Sequence, residues 1–240
     1  MIEILILAHR GTGKGKRENS LNAFNQGLSY GADGIELDIR LTRDNIPVCV
    51  HDKTLKRVYD SDLVVSDLDL ADIKENNLFG DDDITTLEKV FERFGNKIYY
   101  DIEIKDPKVI DSLVKNINKY NIDKFMISSF KHFCLKEIRE KIPNSMIAPI
   151  MDFKDVTDYQ KYIIDIVDEY IPFSLNMDVR FFKEENKEKI HFLDSLKKEK
   201  GTKFAFWTVN TPEDFKLIEN ICDFLITDKV PLFKESGSCE

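Results

Sequence analysis

Short, strongly apolar runs alternate along the chain with segments whose apolar residues recur every three or four positions. The short runs have the composition of parallel strands buried on both faces, and the longer segments have the periodicity of amphipathic helices. We count eight short runs, at Ile4–Ala8, Asp33–Ile39, Lys97–Ile104, Phe125–Ser129, Met146–Ile150, Tyr170–Leu175, Lys203–Thr208 and Asp223–Thr227. Eight strands with intervening helices predict an α/β fold, a (β/α)8 barrel of the TIM type, with chemistry expected at the carboxyl ends of its strands.

Several predicted helices carry start and stop signals. The segment from Ser20 to Tyr30 has one apolar stripe and is predicted to stop at Gly31. Thr85-Thr86-Leu87-Glu88 matches a capping box, which predicts a helix that ends before Gly95. Thr211-Pro212 is predicted to start another helix in the same way.

One segment does not fit the alternation of strands and helices. Ile46–His51 follows the second predicted strand too closely for a crossover helix, because a parallel return needs about a dozen residues. We therefore predict an antiparallel hairpin excursion after the second strand. A turn centred near Asp44-Asn45 would set His51 beside Asp38 or Ile39.

Length and composition favour one large domain. The chain has 240 residues, of which 42% are hydrophobic and 33% charged, and (β/α)8 barrels commonly fill this length as a single domain. We predict that residues 1–233 form this domain. The remaining tail, 234–240, offers little apolar surface to hold it in place and is predicted to be frayed.

Hydropathy and charge limit the location and the partners. No apolar run approaches the roughly 18 residues of a membrane span. The apolar start at Ile2–Ala8 lacks the pattern of a secretory signal, so we predict a buried first strand and a cytoplasmic location. The formal net charge of −9 argues against nucleic acid as a partner, whereas a small anionic substrate needs only local positive groups. The sequence does not indicate an oligomeric state.

Some polar and sulfur-containing features are interpreted as having no part in the chemistry. The four cysteines are scattered without a C-x-x-C pair, so we predict reduced thiols rather than a structural zinc or a disulfide framework. The acidic segment 60–83 is predicted to be a solvated surface excursion near the barrel mouth rather than a cation site. His132 and His191 fall in predicted helices and are given no role.

Carboxylates occupy alternate positions on two predicted strands. Glu36 and Asp38 lie two residues apart, so their side chains project from the same face of a strand. A strand in a covered sheet is normally apolar, and two carboxylates there require a metal or cations as compensation. Glu103 and Lys105 repeat this spacing on the next strand, either as an ion pair or with Glu103 on the metal and Lys105 on a phosphate.

Two histidines lie at the ends of predicted strands, where the carboxylates are also expected. His9 ends the first predicted strand and precedes Arg10 and Gly11, where a guanidinium can bind phosphate oxygens and a small residue lets the backbone approach a ligand. His51 supplies a second imidazole. Hydrolysis of a phosphodiester requires one group that accepts a proton and another that donates one, and imidazole titrates nearest to neutral pH.

The glycine-rich segment 11–16 offers a nucleotide-binding alternative. It follows a predicted strand and precedes a predicted helix, as phosphate-binding loops do. The P-loop pattern requires glycine at the position of Arg10 and serine or threonine at that of Arg17, while the dinucleotide fingerprint requires glycine at that of Lys16. The segment matches neither template.

Ordered motifs from residue 9 to residue 228 resemble those of the glycerophosphodiester phosphodiesterase family. The motifs are His9-Arg10-Gly11, Glu18-Asn19-Ser20, Glu36-x-Asp38, Thr42-x-Asp44, His51-Asp52, Thr86-Leu87-Glu88, Glu103-x-Lys105, Ser129-Phe130, Trp207-Thr208-Val209-Asn210 and Ile226-Thr227-Asp228. The resemblance implies a (β/α)8 barrel that hydrolyses glycerophosphodiesters to glycerol 3-phosphate and an alcohol. It also implies one divalent cation, commonly Mg²⁺ or Ca²⁺.

The resemblance assigns roles to the residues already singled out. It implies that the metal is held by Glu36, Asp38 and Glu103, that His9 and His51 form the catalytic pair, and that Arg10 and Lys105 bind phosphate. Trp207 matches a family position at the mouth, where its indole would cover the glycerol or a cationic head group. Packing in the barrel core is the alternative interpretation of Trp207.

Other functions remain compatible with the same residues. A lysophospholipase D or a sphingomyelinase D-like enzyme would keep them and add an apolar channel, and a non-catalytic member of the family would bind phosphoesters without cleaving them. The sequence leaves open which histidine is the acid. It also leaves open whether water attacks directly or a glycerol hydroxyl first forms a cyclic phosphate.

Overall fold

A barrel of parallel strands organises the structure, a computed structural model that describes residues 4–11, 17–75, 84–184 and 186–234. The strand order is β6-β5-β4-β2-β1-β9-β8-β7, with β3 paired to β2. Every described pairing is parallel except that of β2 with β3. The strands are β1 (Leu5–His9), β2 (Gly34–Leu41), β3 (Pro47–Cys49), β4 (Tyr99–Ile104), β5 (Phe125–Ser129), β6 (Ile147–Pro149), β7 (Ser174–Asp178), β8 (Lys203–Trp207) and β9 (Phe224–Thr227).

The sheet curves until its two ends meet between β6 and β7. A parallel bridge joins Ile150 to Asn176, and the Met151 N–H donates to the carbonyl of Asn176 at 2.8 Å. The Phe173 N–H donates to the carbonyl of Ile147 at 2.9 Å. Eight parallel strands therefore form a nearly closed barrel, which confirms the predicted fold class.

Helices connect the strands and cover the barrel. They are α1 (Leu21–Ser29), α2 (Lys56–Tyr59), α3 (Leu70–Glu75), α4 (Leu87–Phe94), α5 (Ile110–Tyr120), α6 (Phe133–Lys141), α7 (Tyr159–Tyr170), α8 (Asn186–Lys200), α9 (Pro212–Lys216) and α10 (Pro231–Lys234). Short 3₁₀ turns cover Val65–Asp67, Gly95–Lys97, Pro107–Val109 and Val179–Phe182.

The predicted helix starts agree with the structure, with one shift. The Ser20 and Thr211 hydroxyls accept hydrogen bonds from the third residue after them, as N-caps do. The N-cap of α4 lies one residue after the predicted Thr85, because it is the Thr86 hydroxyl that accepts from the Lys89 N–H at 3.2 Å. Glu88 then occupies the second helical position rather than the third, which a capping box requires.

The hairpin excursion is present, but its predicted register is wrong by one residue. Ile39 pairs with Cys49, and the Val50 N–H donates to the carbonyl of Asp38 at 3.0 Å. Val50 rather than His51 thus lies opposite Asp38. The turn is centred on residue 44, because the Thr42 N–H donates to the carbonyl of Ile46 at 3.1 Å.

The seventh strand lies further along the chain than its apolar residues predict. The run Tyr170–Leu175 was predicted as a strand, yet Tyr170 is the last residue of α7 and β7 extends from Ser174 to Asp178. The apolar face of the last helical turn continues directly into the strand, so hydrophobicity does not mark the boundary. The helix ends where Ile171 adopts a left-handed conformation.

Three apolar clusters hold the fold together. The largest lies between the strands and their helices, and a second, which includes Leu7, Met126 and Phe224, fills the barrel interior. A third packs under the hairpin and includes Val65 and Ile73. The described part of the acidic segment is therefore anchored by its own small core.

The cysteines and the hydropathy of the helices agree with the sequence-based expectations. Cys49, Cys134 and Cys222 are free and buried, and no described helix is both long and apolar enough to span a bilayer. Most of the glycine-rich segment (12–16), the last eight residues of the acidic segment (76–83), Cys239 and most of the predicted tail (235–240) lie outside the described residues.

Candidate active site

The register of three neighbouring strands gathers the predicted polar residues at one end of the barrel. His9 on β1 pairs with Glu36 on β2. Asp38, two residues further along β2, pairs with Glu103 on β4. Because the carboxyl ends of parallel strands meet at the same rim, residues far apart in the chain become neighbours there.

Three buried carboxylates form the centre of the site. Glu36, Asp38 and Glu103 each offer an oxygen atom, and these atoms all lie within 4.8 Å of one another. Burial, together with the charges of Asp38 and Glu103, holds the pKa of Glu36 well above its ordinary value. Burial and the charge of Asp38 likewise raise the pKa of Glu103 to about 8. Full ionisation of the cluster is therefore unfavourable unless additional positive charge is present.

Two cations partly balance the cluster through Asp38. Lys105 Nζ lies 3.2 Å from Asp38 Oδ1 and 2.5 Å from Glu103 Oε1. Arg10 Nε lies 3.1 Å from Asp38 Oδ2, which also accepts a hydrogen bond from the Asn19 amide at 2.9 Å. Burial would raise the pKa of Asp38, but Lys105 and Arg10 outweigh it, so the pKa is lowered and Asp38 stays ionised.

The backbone at Arg10 and Gly11 is shaped to present the guanidinium. Arg10 has a φ of 51°, in the left-handed region, and its N–H donates to Glu36 Oε2 at 3.0 Å. Gly11 follows with a φ of 87°, and a Cβ at that position would lie 2.6 Å from the backbone nitrogen of Phe24. Only glycine fits there, which gives the His-Arg-Gly motif a steric reason.

His9 is oriented by a carboxylate from the last strand of the barrel. Its Nδ1 lies 2.8 Å from Oδ1 of Asp228, and its Nε2 lies 3.8 Å from Oε2 of Glu36. Burial would raise the pKa of Asp228, but the hydrogen bonds with His9 and Asn210 lower it overall. An ionised Asp228 favours the tautomer with a proton on Nδ1, which leaves Nε2 to face the cavity.

His51 has the same arrangement with its neighbour in sequence. Its Nδ1 lies 2.6 Å from Oδ1 of Asp52, whose other oxygen accepts from Arg57 Nε at 2.6 Å. Arg57 also donates to both oxygens of Glu18, at 2.7 and 2.6 Å. Burial lowers the pKa of His51 more than Asp38 and Asp52 raise it, so its neutral form dominates near pH 7.

One cavity of about 170 Å³ opens onto these groups. The predicted residues that line it are His9, Arg10, Glu36, His51, Glu103, Lys105 and Trp207. Asp38 lies beneath the surface, fully buried, and contacts the cavity through Arg10 and Lys105. Trp207 is half-buried in the wall, where it packs edge-on against the exposed ring of Phe130 with 5.9 Å between ring centroids.

Sequence reasoning missed three residues that support the site. Asp228 and Asn19 were noted only as parts of motifs, with no role of their own. Asp101 was overlooked, although it stands two residues before Glu103 and thus shares its face of β4. It accepts hydrogen bonds from Ser128 at 2.6 Å and Asn176 at 2.9 Å, and burial raises its pKa to about 7.

The carboxylate cluster fits a divalent cation. Asp38 Oδ1 and Glu103 Oε1 are buried and have no partner in hydrogen-bonding geometry among the described residues, despite their ion pairs with Lys105. Oxygen ligands are those that Mg²⁺ and Ca²⁺ prefer. The four buried carboxylates, Asp101 included, face two cations, Arg10 and Lys105, so additional positive charge would be stabilised.

The fold and the cavity define a (β/α)8-barrel protein with cations, carboxylates and imidazoles gathered at the carboxyl ends of its strands. The sequence model described as the Glycerophosphoryl diester phosphodiesterase family matches residues 9–232. The chain belongs to that family.

Individual relatives agree with this assignment. A glycerophosphodiester phosphodiesterase from Caldanaerobacter subterraneus subsp. tengcongensis is 32% identical over 242 residues, which cover 95% of each chain. The crystal structure of a glycerophosphodiester phosphodiesterase from Thermotoga maritima superposes with a TM-score of 0.86 at 31% identity and covers 98% of both chains. An Oleispira antarctica phosphodiesterase shares the fold, with a TM-score of 0.81 at 20% identity over 98% of this chain and 96% of its own.

Proposed function

We propose that the protein is a glycerophosphodiester phosphodiesterase that hydrolyses its substrate to glycerol 3-phosphate and an alcohol. One observation carries the proposal. Two imidazoles and two cations converge on a buried carboxylate cluster in a single cavity of a family member. An anionic diester requires charge neutralisation and proton transfer at the same place, and these groups provide both.

Glu36, Asp38 and Glu103 would hold one divalent cation, Mg²⁺ or Ca²⁺. When bound, such an ion supplies positive charge at phosphate oxygens. The fully buried Asp38 keeps its charge through Arg10 and Lys105. Without a metal ion, the pKa values of Glu36 and Glu103 are raised. Metal binding is therefore expected to compete with protons at Glu36 and Glu103.

Arg10 and Lys105 bind the phosphate in this proposal. Both line the cavity, and both already contact Asp38, which fixes their positions before substrate arrives. The guanidinium can donate two parallel hydrogen bonds to a phosphate, and the ammonium acts as a point charge. Trp207 and Phe130 form the apolar wall that would cover the glycerol carbons.

His9 and His51 transfer protons in this proposal. Each has a carboxylate on Nδ1, Asp228 for His9 and Asp52 for His51, so each has Nε2 left for the substrate. One imidazole accepts the proton of the attacking hydroxyl, and the other donates a proton to the leaving alcohol. The attacking hydroxyl belongs either to water or to the glycerol, and in the second case a cyclic phosphate is released or opened later.

A lysolipid is a second candidate substrate, favoured by one observation. A groove of about 510 Å³ adjoins the cavity at Phe130 and Trp207. Its other lining residues are apolar at Met151, Phe153 and Phe181 and charged at Asp152, Asp178 and Arg180. An acyl chain attached to the glycerol would find apolar surface there. The aromatic rings Phe153 and Phe181 stack on each other with 3.8 Å between centroids and form one side of this groove.

Product analysis with a panel of substrates tests the proposal. The purified protein is incubated with glycerophosphocholine, glycerophosphoethanolamine, glycerophosphoinositol and lysophosphatidylcholine, with Mg²⁺, Ca²⁺ or a chelator. We expect glycerol 3-phosphate from at least one glycerophosphodiester, and only with metal. Release of an acylated glycerol phosphate alone would establish the lysophospholipase D alternative, and no hydrolysis with either metal would contradict the proposal.

The extent of the catalytic domain and its location in the cell extend the proposal. We propose that residues 1–233 act as one catalytic unit in the cytoplasm. The continuous barrel, in which β1 pairs with both β2 and β9, supports one unit because the first and last strands complete each other.

A further inference from the structure

A second cavity, of about 270 Å³, lies beside the candidate active site. Lys105 lines both cavities and so separates them. The charged residues that line the second cavity are Arg40, Lys53, Lys105, Asp106 and Lys131. Four cations thus face one carboxylate, in a protein whose formal net charge is −9.

Three of these cations lack acidic partners. Arg40, Lys53 and Lys131 form no ion pair with any residue that the structure describes. The carboxylate of Asp106 accepts a hydrogen bond from the Lys108 N–H at 3.1 Å, which occupies one of its oxygens. Like charges that converge on one cavity repel each other, so an anion placed among them would be stabilised by all of them.

The position of Arg40 adds to this charge imbalance. It is half-buried, and its Nε donates to the carbonyl of His51 at 2.8 Å, which leaves the rest of the guanidinium with no partner among the described residues. The guanidinium is therefore a partly desolvated cation that is not fully balanced.

The second cavity lies on the His51 side of the site. Arg40 contacts the backbone of His51, and Lys53 follows two residues later. Lys131 is tethered next to Lys105, because its Nζ donates to the Lys105 carbonyl at 3.4 Å. A diester held at Lys105 would thus have the cations of the second cavity beside it.

We propose that this cationic cavity, lined by Arg40, Lys53, Lys105 and Lys131, binds a second phosphate carried by the leaving alcohol. The inference rests on the proposed function and narrows the substrate class. The preferred substrates are glycerophosphodiesters whose alcohol is itself phosphorylated, such as a short chain of glycerol units joined by phosphates. A phosphate offers several oxygens to several donors at once, which suits a guanidinium and ammonium groups around one space.

Two matched substrates test the inference. Glycerophosphoglycerol and its derivative with a terminal phosphate are compared with wild-type protein, the double variant Lys53→Met/Lys131→Met, and the control Lys124→Met. Lys124 is exposed and precedes β5, at the opposite end of the barrel. We expect the wild type and the control to prefer the phosphorylated substrate by about tenfold or more in kcat/KM, and added salt to weaken that preference.

The double variant is expected to lose the preference through a higher KM for the phosphorylated substrate, with glycerophosphoglycerol turned over as by the wild type. Equal kcat/KM of the wild type for the two substrates would overturn the inference, and so would a double variant that keeps the preference.

A binding measurement separates failure of this inference from failure of the proposed function. Calorimetry with glycerol 1,3-bisphosphate and with glycerol 3-phosphate requires no turnover. Tighter binding of the bisphosphate, weakened in the double variant and unchanged in Lys124→Met, supports the second phosphate site even for a protein that hydrolyses neither substrate. Equal affinities for the two ligands in the wild type would overturn it.

Discussion

Asp228 holds the imidazole of His9 across 2.8 Å, between Oδ1 and Nδ1, although 219 positions separate the two residues in the chain. Closure of the barrel brings them together, because β1 pairs in parallel with β9. Asn210 in turn donates to the other oxygen of Asp228 at 2.8 Å and accepts from its backbone N–H at 2.9 Å. The orientation of His9 therefore depends on the residue that directly follows β9, the last strand of the barrel.

Replacement of Asp228 by asparagine should lower turnover with little loss of stability. The amide oxygen of the new side chain would stay with Asn210, so its NH₂ would face Nδ1 of His9 and favour the wrong tautomer. We expect kcat to fall by about 10²-fold or more, with KM changed much less. Steady-state kinetics of Asp228→Asn and of the surface control Asp194→Asn check this. Wild-type turnover in Asp228→Asn would show that Asp228 does not orient a catalytic group.

Arg57 is expected to act as a positioning residue for His51. It binds Asp52, which holds His51 Nδ1, and it is itself held by Glu18. Arg57→Met should lower kcat by about tenfold to a hundredfold, because Asp52 then loses the partner that fixes it. Loss of Arg57 should also raise the pKa of Asp52 and shift the pH dependence of kcat.

Arg57→Lys provides the comparison, since lysine keeps the charge but lacks the planar guanidinium that donates to Asp52 and Glu18 at the same time. We expect partial rescue of kcat. If Arg57→Met lost stability without any change in the pH profile, the residue would be structural only.

The stability of the metal-free protein should fall as the pH rises above neutrality. Burial raises the pKa of Asp101 to about 7, and burial with Asp38 raises that of Glu103 to about 8. A carboxyl with a raised pKa stabilises the fold while it is protonated, and this contribution is lost as the pH rises through the folded-state pKa. Between about pH 6.5 and pH 9 we expect a loss on the order of 1–3 kcal/mol in the free energy of unfolding.

Urea denaturation in the presence of a chelator measures this loss. Asp101→Asn should reduce the slope, because the neutral amide can still bind Asn176 and Ser128. Stability that stays level or rises over this pH range would contradict the assigned environments of Asp101 and Glu103.

Divalent metal should stabilise the wild-type protein through the acidic cluster. A ligand at a hundredfold excess over its Kd adds about 2.7 kcal/mol, and the effect should be larger at about pH 9 than at about pH 6.5, because fewer protons compete for Glu36 and Glu103. Thermal unfolding with and without Mg²⁺ or Ca²⁺ measures it. Glu36→Gln/Glu103→Gln should abolish the shift, and the surface control Glu88→Gln should keep it. A full shift in the double variant would place the metal elsewhere.

The barrel was predictable because its signals are local and repeated. Parallel strands covered on both faces read as apolar runs, and the exceptions, Glu36 with Asp38 and Glu103 with Lys105, stood out against them. Parallel pairing predicts that those residues lie together at one rim of the barrel. The boundary between α7 and β7 was not predictable, because Tyr170 packs in the core as a helical residue and no polar position separates it from the strand.

The supporting contacts of the site were less accessible from sequence. Nothing in the neighbourhood of Asp228 indicates His9 as its partner, since their contact requires the closed barrel. Arg57 lies in a short helix of the hairpin excursion, whose packing against Glu18 depends on three-dimensional placement. Asp101 was detectable, because its spacing to Glu103 repeats that of Glu36 to Asp38.

The central claim is that two imidazoles at the rim of this barrel transfer protons in hydrolysis of a glycerophosphodiester. Its most direct test is the rate of glycerol 3-phosphate release by His51→Ala, compared with the wild type and with His191→Ala, whose histidine lies exposed on α8. We predict a loss of about 10²-fold to 10⁴-fold in kcat for His51→Ala alone, with its thermal unfolding retained. Full activity of a folded His51→Ala protein would contradict the account.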